Sequence, residues 1–336
     1  MRFACAAALG IAFALAAACS TQAPGPVLRG IIATRQLDVD VHVAGIAVAE
    51  DGDLWLATIN YGDGPAGALL VRRGGTSERF SSSSTFNRVA IDAHGVAWFT
   101  AGVGTAHEQP SLTRVDASGR IHAYPLPPEG DYEGIVIGSD GEPWFTDAAS
   151  GIIGRLTSSG SFSYYGPTSA DPTEMIEGPD GDLWFTEPDA DRIGRLHADG
   201  TIDEFRVPTA RAHPTGITAG TDGAVWFCES AADKIGRIGV DGHVTEHRLP
   251  KTGVWPLGIA AARDGSLWFT ELTAARVGRI ARNGAFEEFA VPGGGYPGPI
   301  ASAADGTMWL ASNAKRDAGL GLTSSRSFLV HFKPAP

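Results

Sequence analysis

Residues 214–250 read PTGITAGTDGAVWFCESAADKIGRIGVDGHVTEHRLP, and the fold follows from recognising this stretch as one of seven copies. Its pieces are four to six residues long, β-branched, aromatic or alternating, and separated by Asp-Gly and Gly/Pro turns, the pattern of short antiparallel strands joined by hairpins. The same Trp-bearing segment recurs around Trp55, Trp98, Trp144, Trp184, Trp226, Trp268 and Trp309, with successive gaps of 43, 46, 40, 42, 42 and 41 residues. No helical period of useful length appears, which leaves a β-propeller, a β-helix or a string of small domains. Units near 42 residues match four-stranded propeller blades and are far too long for β-helix coils. The reading is an all-β, seven-bladed β-propeller of four-stranded antiparallel blades.

The last Trp unit supplies three strands, near Ile300, at Met308 to Ala311 and at Ser327 to Phe332, and the chain then stops. Ile31 to Leu37, before the first unit, has no unit of its own. It is therefore expected to complete the last blade, so that no sheet edge stays open. Ala314 to Ser325 becomes a loop within that blade.

The 336 residues include 44 glycines and 21 prolines and carry a formal charge of -12. No run of Lys/Arg exceeds two residues, so the basic footprint of a nucleic-acid binder is missing. Residues 1–18 read as an export signal, one Arg followed by an Ala-rich apolar run. Ala16-Ala17-Ala18-Cys19, with Leu15 upstream, resembles the bacterial lipobox and implies lipidation at Cys19. Residues 19–28 are then a tether and 29–336 the propeller, a monomer that meets the membrane only through a lipid anchor in the cell envelope or periplasm. Cys228 sits where sister repeats carry Thr100, Thr146, Thr186 and Thr270, and reads as a small buried substitute.

Glu187, Glu229 and Glu271 end second strands, and Arg192, Lys234 and Arg276 begin third strands. Each pair is expected as a cross-strand ion pair worth about 0.2–1 kcal/mol. The repeated Arg155, Arg195, Arg237 and Arg279 read as strand-face residues.

Function should break the repeat on the rim of the central channel, where the innermost strand begins. Before the Pro position of Pro-x-Gly-Ile, the units read His42, Thr85, Asp131, Asp171, His213, Trp255 and Tyr296; after it they read Ala44, Asn87, Glu133, Thr173, Thr215, Leu257 and Gly298. Polar and acidic groups gather in units three to five. Asn87, Asp171, His213, Trp255 and Tyr296 are the candidate ligand-binding residues. Asp131 and Glu133 are candidates for a catalytic or metal-binding pair, since close carboxylates raise one pKa or share a cation. His42 and His213, on distant units, read as solvent-exposed loop residues.

Units reading G-I-T-x-G-x-D-G-x-L-W-F-T-E, then K-I-G-R-I, then E-F-x-x-P resemble the streptogramin B lyases, also called virginiamycin B lyases. The resemblance covers roughly residues 40–312 and is strongest from Pro172 to Pro292. It implies a seven-bladed propeller that opens a cyclic depsipeptide by elimination with Mg²⁺. By blade order, Leu257 and Gly298 stand where the family's two histidines belong, and Tyr296 and Asn313 where its carboxylates belong. The resemblance therefore implies the fold, while the lyase residues are replaced. Three functional readings remain: a propeller binding a small molecule or protein at the channel rim, a metal-dependent lyase or hydrolase with a displaced site, and a sugar-lactone hydrolase, a type that usually has six blades.

Overall fold

The computed structural model describes residues 26, 28, 30–37, 41–60, 66–82, 84–102, 109–116, 118–292, 295–313 and 327–334. The expected export signal, Cys19 and the insertion Ala314 to Ser325 lie outside them.

Strand β1 is Ile31–Gln36. Blade 1 is β2–β5 (Val41–Val48, Leu54–Asn60, Ala66–Val71, Ser77–Ser82), and blade 2 is β6–β9 (Phe86–Ile91, Ala97–Ala101, Ser111–Val115, Ile121–Pro125). Blade 3 is β10–β13 (Tyr132–Ile137, Pro143–Asp147, Ile152–Leu156, Phe162–Tyr165), and blade 4 is β14–β17 (Met175–Glu177, Leu183–Glu187, Arg192–Leu196, Ile202–Arg206). Blade 5 is β18–β21 (Pro214–Ala219, Ala224–Glu229, Lys234–Gly239, Val244–Arg248), and blade 6 is β22–β25 (Pro256–Ala261, Leu267–Glu271, Arg276–Ile280, Phe286–Ala290). Blade 7 takes β26–β28 (Tyr296–Ser302, Met308–Asn313, Phe328–Phe332) and, outside β28, the N-terminal strand β1. The protein is thus a seven-bladed β-propeller, closed as expected. The first strands of successive blades meet in a ring that ends with β26 against β2, and these strands line the channel.

The repeated residues explain one another. In blades 3 to 6 the Phe after each Trp lies directly across from the Gly of the Gly-Arg pair on the next strand, as Phe145 does from Gly154. A Cβ built on Gly154, Gly194, Gly236 or Gly278 would stand 2.1–2.2 Å from that ring, so only glycine admits the aromatic. Across from the Trp stands the Arg, and Arg155, Arg195, Arg237 and Arg279 stack their guanidinium groups 5.0–5.7 Å from the Trp rings. In blade 7 His331 takes this place, its ring stacked 4.1 Å from that of Trp309 and nearly parallel to it.

Neighbouring blades are joined at their inner strands by the Thr two residues after the Trp. The Thr146 hydroxyl accepts the Gly134 N–H at 2.7 Å within its blade and donates to the Thr173 carbonyl of the next blade at 2.7 Å. Thr100 makes the corresponding bonds to Arg88 N–H and to the Glu133 carbonyl, both 3.2 Å. Cys228, fully buried, replaces this Thr in blade 5; there Ser230 Oγ donates to the Pro256 carbonyl of blade 6. Arg35 on β1 reaches the Gly75 carbonyl and Ser77 Oγ of blade 1, fastening the closing strand to its neighbour. Pro26 and Leu28, read from sequence as tether, pair with the Ala290 backbone of blade 6, and Leu28 is buried in the core there.

The expected Glu–cation pairs need correction. Glu187, Glu229 and Glu271 do lie opposite Arg192, Lys234 and Arg276, but those cations bond to Glu204, Glu246 and Glu288 on the outer strands, at 2.5, 2.6 and 3.1 Å. The inner glutamates are fully enclosed, and a charge there loses its hydration. Burial first, then the outer glutamate's charge, pushes Glu187 up to about 7 and Glu229 and Glu271 up to about 8.

The folded protein therefore holds these protons to higher pH than an unfolded chain, in which glutamate titrates near 4.5. Their contribution to stability is complete below about pH 4.5, falls as pH rises and is lost above about 8. Urea denaturation across pH 5 to 9 is expected to show this decline, and Glu271→Gln, which cannot ionise, to show a shallower one.

Candidate functional site

The first residues of the inner strands form the mouth of the channel, and their side chains divide it into two sides. On one side, Asn87 of blade 2 donates from Nδ2 to Glu133 Oε2 of blade 3 at 2.9 Å and accepts at Oδ1 from Arg88 Nη1 at 3.0 Å. Asp131 is anchored through its backbone, its N–H bonding to Asp147 Oδ1 at 2.9 Å. Burial, then the charges of Glu133, Asp147 and Asp171, raise the Asp131 carboxyl to about 6. Asp171 of blade 4 accepts the Asp189 N–H at 3.1 Å. It too is raised by burial and by Asp189, while His213 of blade 5 pulls it the other way. The predicted residues Asn87, Glu133, Asp131, Asp171 and His213 thus form one arc of mutually interacting groups over blades 2 to 5.

His213 and Trp255 share an unusual backbone. Both have left-handed φ, 52° and 53°, a conformation that β-carbon-bearing residues seldom adopt. An aspartate on the preceding blade holds each one: Asp191 accepts the His213 N–H at 3.1 Å, and Asp233 accepts the Trp255 N–H at 3.3 Å. Trp255 and Tyr296 stand at the starts of the inner strands of blades 6 and 7, away from the acidic arc.

Two residues of the mouth escaped the sequence reading. Arg88 donates from Nε to Glu174 Oε1 at 2.6 Å and from Nη1 to the Ala44 carbonyl at 3.1 Å. Blades 2 and 4 are not neighbours, so this ion pair passes blade 3 inside the channel. A signal was present: Arg88 and Glu174 occupy the position where Gly45, Gly134, Gly216 and Gly258 stand in sister units. This position lies one residue beyond the pair flanking Pro from which the candidates were named.

Two of the positions that the resemblance assigns to lyase residues, Asn313 and Gly298, serve the joint between blades 7 and 1. Asn313 accepts the Val43 N–H at Oδ1 (2.9 Å) and donates from Nδ2 to the Val43 carbonyl (3.0 Å), joining blade 7 to blade 1. A Cβ on Gly298 would stand 2.9 Å from Asn313 Nδ2, so a larger side chain fits only if this joint moves. Asn313 Nδ2 also lies 3.5 Å from Nε2 of His42, which is half-buried on β2 and not the exposed loop residue expected from sequence, and the metal that the resemblance implies does not fit here, because Mg²⁺ takes carboxylate oxygens and water. Among the described residues no group of three or more His, Cys, Asp or Glu converges closely enough to hold a metal ion.

Fold and mouth together define a seven-bladed propeller with a polar arc at one end of its channel. The virginiamycin B lyase family matches residues 32–316, and the chain belongs to that family. A streptogramin B lyase structure is 27% identical, covering 90% of this chain and 98% of that one, with a TM-score of 0.77. A catalytically inactive His-to-Ala variant of virginiamycin B lyase from Staphylococcus aureus, with quinupristin, is 29% identical over 89% of this chain and 98% of that one, with a TM-score of 0.75. A putative gluconolactonase, 13% identical with a TM-score of 0.51 and covering 76% of this chain and 91% of that one, shares the fold alone. No curated protein matches the chain in sequence.

Replacing Asn313 by Ala leaves the Val43 N–H and carbonyl without their partner, which costs about 1–3 kcal/mol for buried groups. Thermal denaturation of Asn313→Ala is expected to show that loss at the joint between blades 7 and 1.

Proposed function

We propose that this chain is a lyase-like propeller exported to the bacterial envelope, held there by a lipid on Cys19, which binds a small molecule or protein at the channel mouth. The observation that carries the reading is Asn313: where the resemblance calls for a carboxylate, the side chain is spent on a blade joint, with Gly298 packed beside it. The arc from Asn87 to His213 is then the chemically distinctive polar part of the mouth. Asp131, Glu133 and Asp171 favour a ligand with a cationic group, while Trp255 and Tyr296, on blades 6 and 7, favour an apolar or aromatic part of it. The apolar run of residues 1–18 and the Ala-Ala-Ala-Cys sequence support export and anchoring.

One observation favours a second reading, a lyase or hydrolase with its site displaced to blade 3. A carboxyl held near 6, as Asp131 is, can take a proton close to neutral pH.

A thermal-shift panel of amine-bearing and carboxylate-bearing peptides separates the outcomes. Amine-bearing ligands are expected to stabilise the protein, more so as pH rises through about 6 and Asp131 ionises, with Asp131→Asn weakening binding about tenfold. Stabilisation by carboxylates alone would overturn the cationic assignment. Incubation with quinupristin and Mg²⁺ is expected to leave the ring closed; ring opening lost in Asp131→Asn and Glu133→Gln would establish the second reading. Cys19→Ser is expected to move the protein from the membrane fraction to the soluble one.

A further inference from the structure

The inner glutamates of blades 4, 5 and 6 are buried with few of the bonds that normally accompany burial; Glu187 Oε2 accepts a long bond, 3.4 Å, from Ser169 Oγ. Both carboxyl oxygens of Glu229 and Glu271, and Oε1 of Glu187, find no donor among the described residues. An enclosed carboxylate with so few donors is far costlier than a carboxylic acid.

Each inner glutamate lies beside an outer one that holds two things together. Glu204 bonds Arg192 of its own blade and accepts the Ser169 N–H of the incoming loop at 2.5 Å. Glu246 bonds Lys234 and accepts the Thr209 N–H and hydroxyl at 2.8 and 2.9 Å. Glu288 bonds Arg276 and the Lys251 ammonium. Ser169, Thr209 and Lys251 belong to the three loops that lead into Asp171, His213 and Trp255, so the outer glutamates fasten the segments that present half of the channel mouth. Nothing in blade packing requires a second carboxyl behind each fastening, yet three consecutive blades carry one.

We propose that Glu187, Glu229 and Glu271 are proton-loaded latches: protonated, they leave the outer glutamates free to grip the rim loops, and deprotonated, they loosen that grip. The charged groups around each one set the response. Glu187 faces Glu204 and Arg192; Glu229 faces Glu246, Lys234 and Asp191; Glu271 faces Glu288, Lys251, Arg276 and Asp233. Every set is acidic or balanced before the inner group ionises. When the proton leaves to solvent, a second negative charge appears beside the outer glutamate with no added cation, and repulsion acts directly on the group that bonds Ser169, Thr209 or Lys251. The change falls as pH rises through about 7 for Glu187 and about 8 for Glu229 and Glu271. The latch requires no rim ligand and is read on the loops themselves, so it stands or falls separately from the binding role.

Amide hydrogen exchange at pH 6 and pH 9, corrected for the intrinsic rate, tests this on the purified protein. Loops 166–171, 207–213 and 249–255 are expected to exchange about tenfold faster at pH 9. In a variant carrying E187Q, E229Q and E271Q together, their protection should no longer depend on pH. Thr209→Ala, which removes one fastening, should speed exchange of loop 207–213 at pH 6. Equal protection of the wild-type loops at both pH values, or pH dependence that survives in the triple variant, overturns the proposal. Infrared difference spectra of the wild type give a measurement independent of any variant: a carboxylic-acid carbonyl band present at pH 6 and lost by pH 9 is expected, and its absence at pH 6 overturns the latch.

Discussion

A phenylalanine ring laid over a glycine on the adjacent strand is the contact on which this architecture depends. Phe145 over Gly154, Phe185 over Gly194, Phe227 over Gly236 and Phe269 over Gly278 leave no room for even a methyl group. The ring brings the second and third strands of a blade into close contact and places the Trp and Arg of the same motif side by side on the opposite face. A four-stranded sheet built this way has apolar surface on both faces, which it can bury only against two more blades. Repetition and closure follow from that need, and β1 satisfies the last edge.

Between blades the constraint changes from ring packing to backbone hydrogen bonding. Inner strands converge at the channel, where a Thr hydroxyl, a Ser hydroxyl in blade 5, or the Asn313 carboxamide in blade 7 carries the bond from one strand to the next. This bears directly on function, because the place where the family resemblance calls for a carboxylate is one of those joints. The Asn313 side chain both accepts from and donates to the Val43 peptide groups, and its Nδ2 also lies 3.5 Å from His42 Nε2, so it is committed to holding blade 7 against blade 1. The other departures from the repeat, from Asn87 to His213, are the chemically distinctive part of the mouth, although Asn87 also bridges blades 2 and 3 through Glu133.

The fold was legible because its cause is local and repeated: Trp, Gly, Arg and Asp-Gly turns at constant spacing can be seen without coordinates. Part of the site was legible for the same reason. Asp131, Asp171 and His213 stand at homologous positions of successive units, with Glu133 two residues after Asp131, so neighbouring blades bring them together. Arg88 and Glu174 are paired by the curvature of the ring, across a gap of 86 residues and past an intervening blade, and strand pattern alone does not reveal that. The ion pairs expected between Glu187 and Arg192 and at their sister positions failed for a related reason. Register made them opposite, but burial decided which carboxyl could keep its charge.

Read alone, the amino-acid sequence determined the number of blades, the four strands of each, the closing role of residues 31–37, and the positions where the rim departs from the repeat. These follow from side-chain period and spacing, which are properties of the chain. Only the tertiary structure decided that Asn313 is a joint, that Arg88 reaches Glu174 across the channel, that the cations of blades 4 to 6 choose the outer glutamates, and that His213 and Trp255 are held in left-handed conformations. These depend on desolvation and on distances between strands far apart in sequence, and both are set only when the ring has closed.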